Sequence, residues 1–156
     1  MGLSLRREPF DGPVAAGLIA LVQDEYRVRY GGPDDTPVVS AEFAPPGGEF
    51  LVARLGEGVV GCGGYRAHLL PGALVPDAEI KRMFVAADMR GRGYSRVILA
   101  VLEASARDRG YGRIILETGN QQPEAVGLYS TAGYRRIEGF GLYAGEAGSL
   151  YFAKPL

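Results

Sequence analysis

A glycine-rich turn flanked by arginines is the part of this sequence best suited to bind a ligand. It reads Arg90-Gly91-Arg92-Gly93-Tyr94-Ser95, and a further arginine follows at Arg96. Glycine lets the backbone turn tightly and lets a ligand approach it closely. If a helix begins behind this turn, its unpaired N–H groups and partial positive charge add to the arginine charges. These residues therefore predict a cradle for an anion of pyrophosphate size.

A strand before the turn and a helix after it would hold the cradle in place. The apolar run Ala78–Val85, which has a charged interruption, is of strand length. After the turn, apolar residues recur at helical spacing: Tyr94, Val97, Ile98, Val101 and Leu102. We therefore predict a helix over Arg92–Arg109, ended by Gly110 in the left-handed conformation. By itself, this pattern also fits an ordinary strand-to-helix turn with solvated arginines, and it matches neither the dinucleotide fingerprint nor the P-loop.

Two segments in the expected order resemble the GNAT superfamily of N-acetyltransferases. The turn matches the family's acetyl-coenzyme A pyrophosphate loop, Arg-x-x-Gly-x-Gly/Ala, with Ser95 in the last, small position. The second segment is Ala125-Val126-Gly127-Leu128-Tyr129-Ser130-Thr131-Ala132-Gly133-Tyr134. The resemblance implies an α/β fold with a mixed sheet whose two central parallel strands splay apart. It also implies direct transfer of acetyl from acetyl-coenzyme A to a primary amine of a small molecule or peptide. The alternative is a non-catalytic acyl-coenzyme A sensor or partner-binding module, since a fold does not determine function.

On that resemblance, the strand and the turn together hold acetyl-coenzyme A. The main chain of Met83, Phe84 and Val85 is expected to contact the pantetheine arm, because a splayed sheet leaves backbone groups that an amide can satisfy. The pyrophosphate site is expected to comprise Arg90, Gly91, Arg92, Gly93, Tyr94, Ser95 and Arg96. Gln122, or Asn120 two residues earlier, is expected to reach the pantetheine. The alternative is that this polar segment only caps the next helix.

Tyr129 and two glutamates are the candidates for acid–base chemistry. The resemblance implies that Tyr129 contacts the thioester sulfur and protonates the departing thiolate. An alkyl amine is mostly protonated at neutral pH, so a base or a water chain to one must take a proton from it. Glu79 aligns with the base of the histone acetyltransferase branch, and Glu117 aligns with the base of enzymes that acetylate protein N-termini. Burial in a mostly apolar strand would raise either pKa, whereas an ion pair with an arginine would make either glutamate structural. We favour Glu79.

Composition and net charge indicate which kind of protein this is and which kinds of binding partner to expect. With 156 residues, of which 47% are hydrophobic and 22% charged, the chain is expected to form a single globular domain over 1–156. A net charge of −1 gives no case for nucleic acid or a membrane as partner, so the expected partners are acetyl-coenzyme A and an amine, with a homodimer left open. The single Cys62 fits a reducing, cytoplasmic location and a small core residue. His68 stands alone, which predicts a surface histidine and no metal site.

The rest of the chain contains signals for a mixed sheet. The further predicted strands are Leu3–Arg7, Phe50–Leu55, Val59–His68, Arg113–Thr118, Tyr134–Glu138 and Ser149–Lys154. Helices are predicted from Pro13 to about Arg29 and from Pro123 to Gly133, with a helical turn over Ser40–Phe43. Three glycines inside one strand, Gly61, Gly63 and Gly64, predict a bulge or close packing by another element. The acidic residues Asp34, Asp35 and Glu42 are interpreted as a solvated loop, with a wall of the amine site as the alternative.

Overall fold

One mixed sheet of seven strands organises the fold, in the spatial order β1-β2-β3-β4-β5-β7-β6. The computed structural model describes residues 2–156. The strands are β1 (Leu3–Arg7), β2 (Glu49–Leu55), β3 (Gly58–His68), β4 (Asp77–Val85), β5 (Arg113–Gly119), β6 (Arg135–Arg136) and β7 (Ser149–Pro155). The helices are α1 (Pro13–Tyr30), α2 (Tyr94–Asp108) and α3 (Pro123–Thr131), with one-turn 3₁₀ helices at Ser40–Phe43 and Ala87–Met89. The mixed α/β class is confirmed, and the predicted boundaries hold to within two residues.

The two central parallel strands separate soon after they meet. β4 and β5 pair only through Ala78 with Ile114 and Glu79 with Ile115. On its other side, β4 stays paired to β3 as far as Gly61 and Val85. The β5-facing edge of residues 80–85 is therefore left without a strand partner in the described chain. The predicted splay of the two strands is confirmed.

Glycines in β3 let its neighbours come close. A Cβ atom on Gly63 would lie 2.5 Å from Sδ of Met83 and 3.0 Å from Cγ2 of Ile98 on α2. The β3–β4 register also shifts between Cys62 and Gly64, and Arg82 in the facing strand has a φ of 60°. The predicted close packing and a bulge are both present, and the extra residue of the bulge lies in β4, shortly beyond its last pair with β5.

The buried face of α2 differs in part from the predicted one. Ile98, Leu99, Leu102 and Ala106 are buried against the sheet, whereas Val97 is 45% and Val101 39% exposed. The two valines repeat at helical spacing, but each lies about 100° around the helix from the next residue, which faces the core. The apolar face that the sequence pattern marks is therefore buried at Ile98 and Leu102 and partly exposed at the two valines. The helix ends as expected, with Gly110 at a φ of 92°.

The other side of the sheet is covered by α1. Ala15 and Leu18 of α1 pack with Phe50, Val52 and Cys62 in a second core cluster. Burial raises the pKa of the Cys62 thiol to about 12, which confirms it as an unreactive core residue. Within residues 2–156, none of the helices has the length and apolarity needed to cross a membrane.

Candidate active site

A cleft of about 710 Å³ opens where β4 and β5 separate. Its walls come from α1, β4, the start of α2, the end of β5, α3 and the segment 143–149. The glycine-rich turn lines this cleft, and so do charged side chains of β4, β5 and the loop after α1. The separation of the strands thus brings the predicted ligand cradle to the same cavity as two of the three predicted acid–base residues, Tyr129 and Glu117.

The glycine-rich turn has the open backbone geometry that an anion needs. Gly91 and Gly93 have φ values of 78° and 82°, and Gly93 is the residue that precedes the first turn of α2. A Cβ atom on either glycine would meet nothing within 4 Å, so the space above the turn is free. Tyr94 and Ser95 also line the cleft here. The turn therefore presents the N–H groups and partial positive charge of a 15-residue helix to the cavity.

Of the three arginines predicted to bind phosphate, the structure brings only Arg90 to the cleft. Its Nε donates a 2.8 Å hydrogen bond to the Val85 carbonyl, and its guanidinium lies 5.6 Å from the centroid of the Phe84 ring. Arg96 instead donates to the Thr131 hydroxyl at 2.5 Å and so links α2 to α3. Arg92 is exposed, and neither it nor Arg96 is part of the lining formed by residues 2–156.

The residues expected to contact a pantetheine arm all line the cleft. Met83, Phe84 and Val85 line the cleft from β4, and Asn120 and Gln122 line it from the segment after β5. Gln122 precedes α3, but its side chain donates to the Tyr30 hydroxyl at 3.2 Å, and no capping bond from it to α3 is found in the described residues. The alternative that Gln122 only caps the helix is thus not supported.

Tyr129 places a protonated hydroxyl in the cleft. It lies on α3, is 5% exposed, and its ring packs edge-on against Tyr134 with 5.5 Å between centroids. Within residues 2–156, we find no hydrogen-bond partner for this hydroxyl. Burial raises the pKa of Tyr129, so the phenol keeps its proton at neutral pH. It therefore has a proton available for a leaving group.

The two candidate bases have different environments. Glu79 is 3% exposed, and its Oε1 lies 3.0 Å from both Arg66 Nε and His68 Nδ1, away from the cleft lining drawn from the described chain. Glu117 lines the cleft. Burial raises the pKa of Glu117 to about 7, although the Lys81 ammonium opposes this rise. The structure thus favours Glu117 as the base, against our preference from sequence, because Glu79 is committed to an ion pair.

His68 and Asp34 also differ from their sequence interpretations. The His68 side chain is 23% exposed, contacts Glu79 and packs edge-on against Phe140, so it is not a free surface histidine. The Asp34 side chain is only 11% exposed, and its Oδ2 lies 2.7 Å from both Lys81 Nζ and Arg82 Nη1. Burial disfavours the Asp34 carboxylate, but the Lys81 ammonium and the Thr36 N–H together hold its pKa well below the usual range. Asp34 is therefore part of a buried charge cluster.

Sequence reasoning missed Lys81, Arg82 and Tyr26 as cleft residues. The available signal was the Lys81-Arg82 pair that interrupts an otherwise apolar strand. Tyr26 shows no such signal, because a tyrosine on an amphipathic helix is usually a core residue. Among the described residues, no group of three or more His, Cys, Asp or Glu side chains is placed to hold a metal ion.

Comparison with known proteins identifies the class. Residues 16–134 match the model of the acetyltransferase (GNAT) family, which is more than half of the chain. The chain belongs to the GNAT acetyltransferase family and is an acyltransferase enzyme.

Individual relatives agree with this assignment. An IAA acetyltransferase from Azospirillum brasilense is 38% identical over 114 residues, which cover 73% of this chain and 72% of that protein. A crystal structure assigned as an acyl-CoA N-acyltransferase from Klebsiella pneumoniae has a TM-score of 0.79 at 28% identity, covering 99% of this chain and 97% of that one. The PaiA N-acetyltransferase from Thermoplasma acidophilum, solved in complex with coenzyme A, has a TM-score of 0.73 at 13% identity over the whole of both chains. This last likeness concerns the fold alone.

Proposed function

We propose that this enzyme transfers the acetyl group of acetyl-coenzyme A directly to a primary amine. The observation that carries the proposal is the cleft between β4 and β5, which joins an unpaired strand edge, a glycine-rich helix N-terminus, Tyr129 and Glu117 in one cavity. Acetyl-coenzyme A supplies an activated thioester whose carbonyl carbon is open to attack by an amine.

The chain's own residues fit this co-substrate at two points. The β5-facing edge of residues 80–85 has backbone groups to pair with the pantetheine amides, as an added strand would. Gly91 and Gly93 leave open space in front of α2, where a pyrophosphate can accept backbone hydrogen bonds. Arg90 supports the turn through its hydrogen bond to the Val85 carbonyl, and its guanidinium forms an ion pair with Glu25 of α1. Together these contacts orient the thioester toward Tyr129.

Glu117 and Tyr129 then carry out the proton transfers to and from the reacting groups. Glu117 takes a proton from the ammonium of the acceptor, which frees the nitrogen lone pair. A C–N bond forms at the thioester carbonyl carbon and the C–S bond breaks. Tyr129 donates its proton to the sulfur that leaves, giving the free thiol of coenzyme A. The nitrogen loses its second proton as it becomes the amide, and this proton restores the Tyr129 phenol. The raised pKa of Glu117 suits it to this work near neutral pH, since a base is most effective when its pKa lies near the working pH.

The experiment that tests this function is amine-dependent release of free thiol from acetyl-coenzyme A. Purified protein is assayed against amines, polyamines, amino acids, aminoglycosides and peptides, and the acetylated product is identified by its mass. Turnover with at least one amine supports the proposal. Tight binding of acetyl-coenzyme A by calorimetry, with no turnover on any acceptor class, would support the acyl-coenzyme A sensor instead.

A further inference from the structure

A buried cluster in the cleft, formed by Lys81, Arg82 and Asp34, carries one more positive charge than negative. Lys81 and Arg82 both lie 2.7 Å from the same oxygen of Asp34, and their side chains are only 10% and 3% exposed. All three residues line the cleft. Two cations that share one carboxylate give this cluster a net charge of +1, which attracts an anion, whereas the neighbouring Glu117 carboxylate attracts a cation.

The same two cations have hydrogen-bonding capacity that the protein does not use. An ammonium has three N–H donors and a guanidinium five. In the described chain, the only side-chain acceptor found for Lys81 and Arg82 is Asp34 Oδ2. Arg82 Nε is buried and has no partner within residues 2–156. A ligand with several acceptor oxygens, such as a carboxylate, matches both the charge and the unused donors.

The sheet register places this cluster beside the proposed base. The last paired residues of the splayed strands are Glu79 and Ile115, so two residues further on Lys81 stands opposite Glu117. These two positions are the first side chains on the same face beyond the pairing, and they are close enough for the Lys81 ammonium to oppose the rise in the Glu117 pKa. An amine at Glu117 and a carboxylate at Lys81 must therefore belong to groups only a few atoms apart.

We propose that the acceptor is an amine that carries a carboxylate close to its amino group, as an α-amino acid does. Lys81 and Arg82 bind the carboxylate, and Glu117 receives the amine. This inference rests on the proposed function and names its substrate class. Asp35 and Glu146 also line the cleft and are exposed. The cleft lining therefore contains both positive and negative side chains, which fits a zwitterion better than a simple anion.

The test compares each amino acid with its own carboxamide and with the amine that lacks the carboxyl group. The amide is less basic at nitrogen and presents more free amine, so without carboxylate recognition it would be the better substrate. We expect the wild type to prefer the acid by at least about tenfold in kcat/KM. Lys81→Gln should bring this ratio toward one, mainly by raising KM for the acid.

A matched control is Arg107→Gln, which removes one positive charge from the exposed end of α2 outside the cleft. It should keep the wild-type ratio of acid to amide. Circular dichroism shows whether Lys81→Gln folds. If it does not fold, the ratio of kcat/KM for acid and amide in the wild type tests the inference by itself. Acids and amides acetylated equally by the wild type, or a Lys81→Gln ratio unchanged from wild type, would overturn this inference alone. If no amine of any kind is acetylated, the proposed function is wrong and the inference fails with it.

Discussion

Replacing Glu117 by glutamine should reduce catalysis and change its dependence on pH. If Glu117 is the base, wild-type kcat/KM falls about tenfold per pH unit below the Glu117 pKa of about 7. Glutamine keeps the shape of the side chain but cannot take a proton. We expect kcat/KM to drop on the order of 10²- to 10⁴-fold at pH 8, the usual effect of one acid–base group. The limb near pH 7, which is the fall in kcat/KM below that pH in the pH–rate profile, should disappear. The remaining rate should follow the ionisation of the acceptor's own amine.

The same substitution should stabilise the protein above neutral pH. The folded chain binds the Glu117 proton more tightly than the unfolded chain, since burial raises the pKa from 4.5 to about 7. The free energy of unfolding of the wild type therefore decreases as the pH rises from 4.5 to about 7, and the substitution by glutamine removes this decrease. At about 1.4 kcal/mol per pH unit, the gain at pH 8 is at most about 3.5 kcal/mol, and it should vanish below pH 4.5. Urea unfolding of both proteins at several pH values measures it.

Glu79→Gln is the matched control, because it makes the same chemical change on the neighbouring strand. It leaves the buried Arg66 guanidinium without its carboxylate partner, and removing one member of a buried pair costs about 3–5 kcal/mol. We expect a less stable protein that retains the limb near pH 7. The assignment would be refuted if Glu117→Gln kept that limb while Glu79→Gln lost it in a protein that is still folded by circular dichroism.

Three further substitutions test the cofactor site, the acid and the packing of the sheet. Gly93→Glu should abolish acetyl-coenzyme A binding in calorimetry, whereas Gly72→Glu, which meets the same backbone strain at a φ of 81° outside the cleft, should not. Tyr129→Phe should keep acetyl-coenzyme A affinity and lower kcat about 10- to 1,000-fold, and an unchanged kcat would make it a packing residue. Gly64→Ala places a Cβ 2.7 Å from the Glu49 carbonyl oxygen and should lower the free energy of unfolding by about 1–3 kcal/mol. Gly58→Ala, whose Cβ would make only a 3.5 Å contact, should have little effect in the same denaturation assay.

The fold was predictable because each element has a local signal that the tertiary structure does not override. Proline begins α1 and α3, and glycine follows the ends of α1 and α2 in the left-handed conformation. The apolar strands are separated by glycine- and proline-rich segments. The glycines of β3 could also be interpreted, because a residue without a Cβ inside a strand implies a close neighbour. Local patterns of this kind do not depend on knowing which strands become adjacent.

Side-chain partners across the cleft could not be predicted in this way. Asp34 meets Lys81 and Arg82 over 47 and 48 residues of sequence, and its loop has the composition of a solvated turn. Arg96 shares a segment with Arg90, yet the direction of its side chain takes it to α3. Long-range ion pairs of this kind are set by packing geometry, and composition reports only that the charges exist. Composition alone therefore predicts a solvent-exposed loop after α1, because the partners of Asp34 lie on a distant strand.

The choice between the two glutamates depends on where the strand pairing ends. Glu79 and Ile115 form the last pair between β4 and β5, so Glu79 lies in the closed part of the sheet, where Arg66 and His68 contact its carboxylate. Glu117 lies two residues past Ile115, beyond the opening, where the same side-chain direction leads into the cleft. Sequence alignment with two branches of the family offers both positions, but a base must reach the acceptor as well as hold a suitable pKa. Pairing that continued for two more residues would place Glu117 in the closed part of the sheet as well, which is why the end of the pairing decides which carboxyl group reaches the cleft.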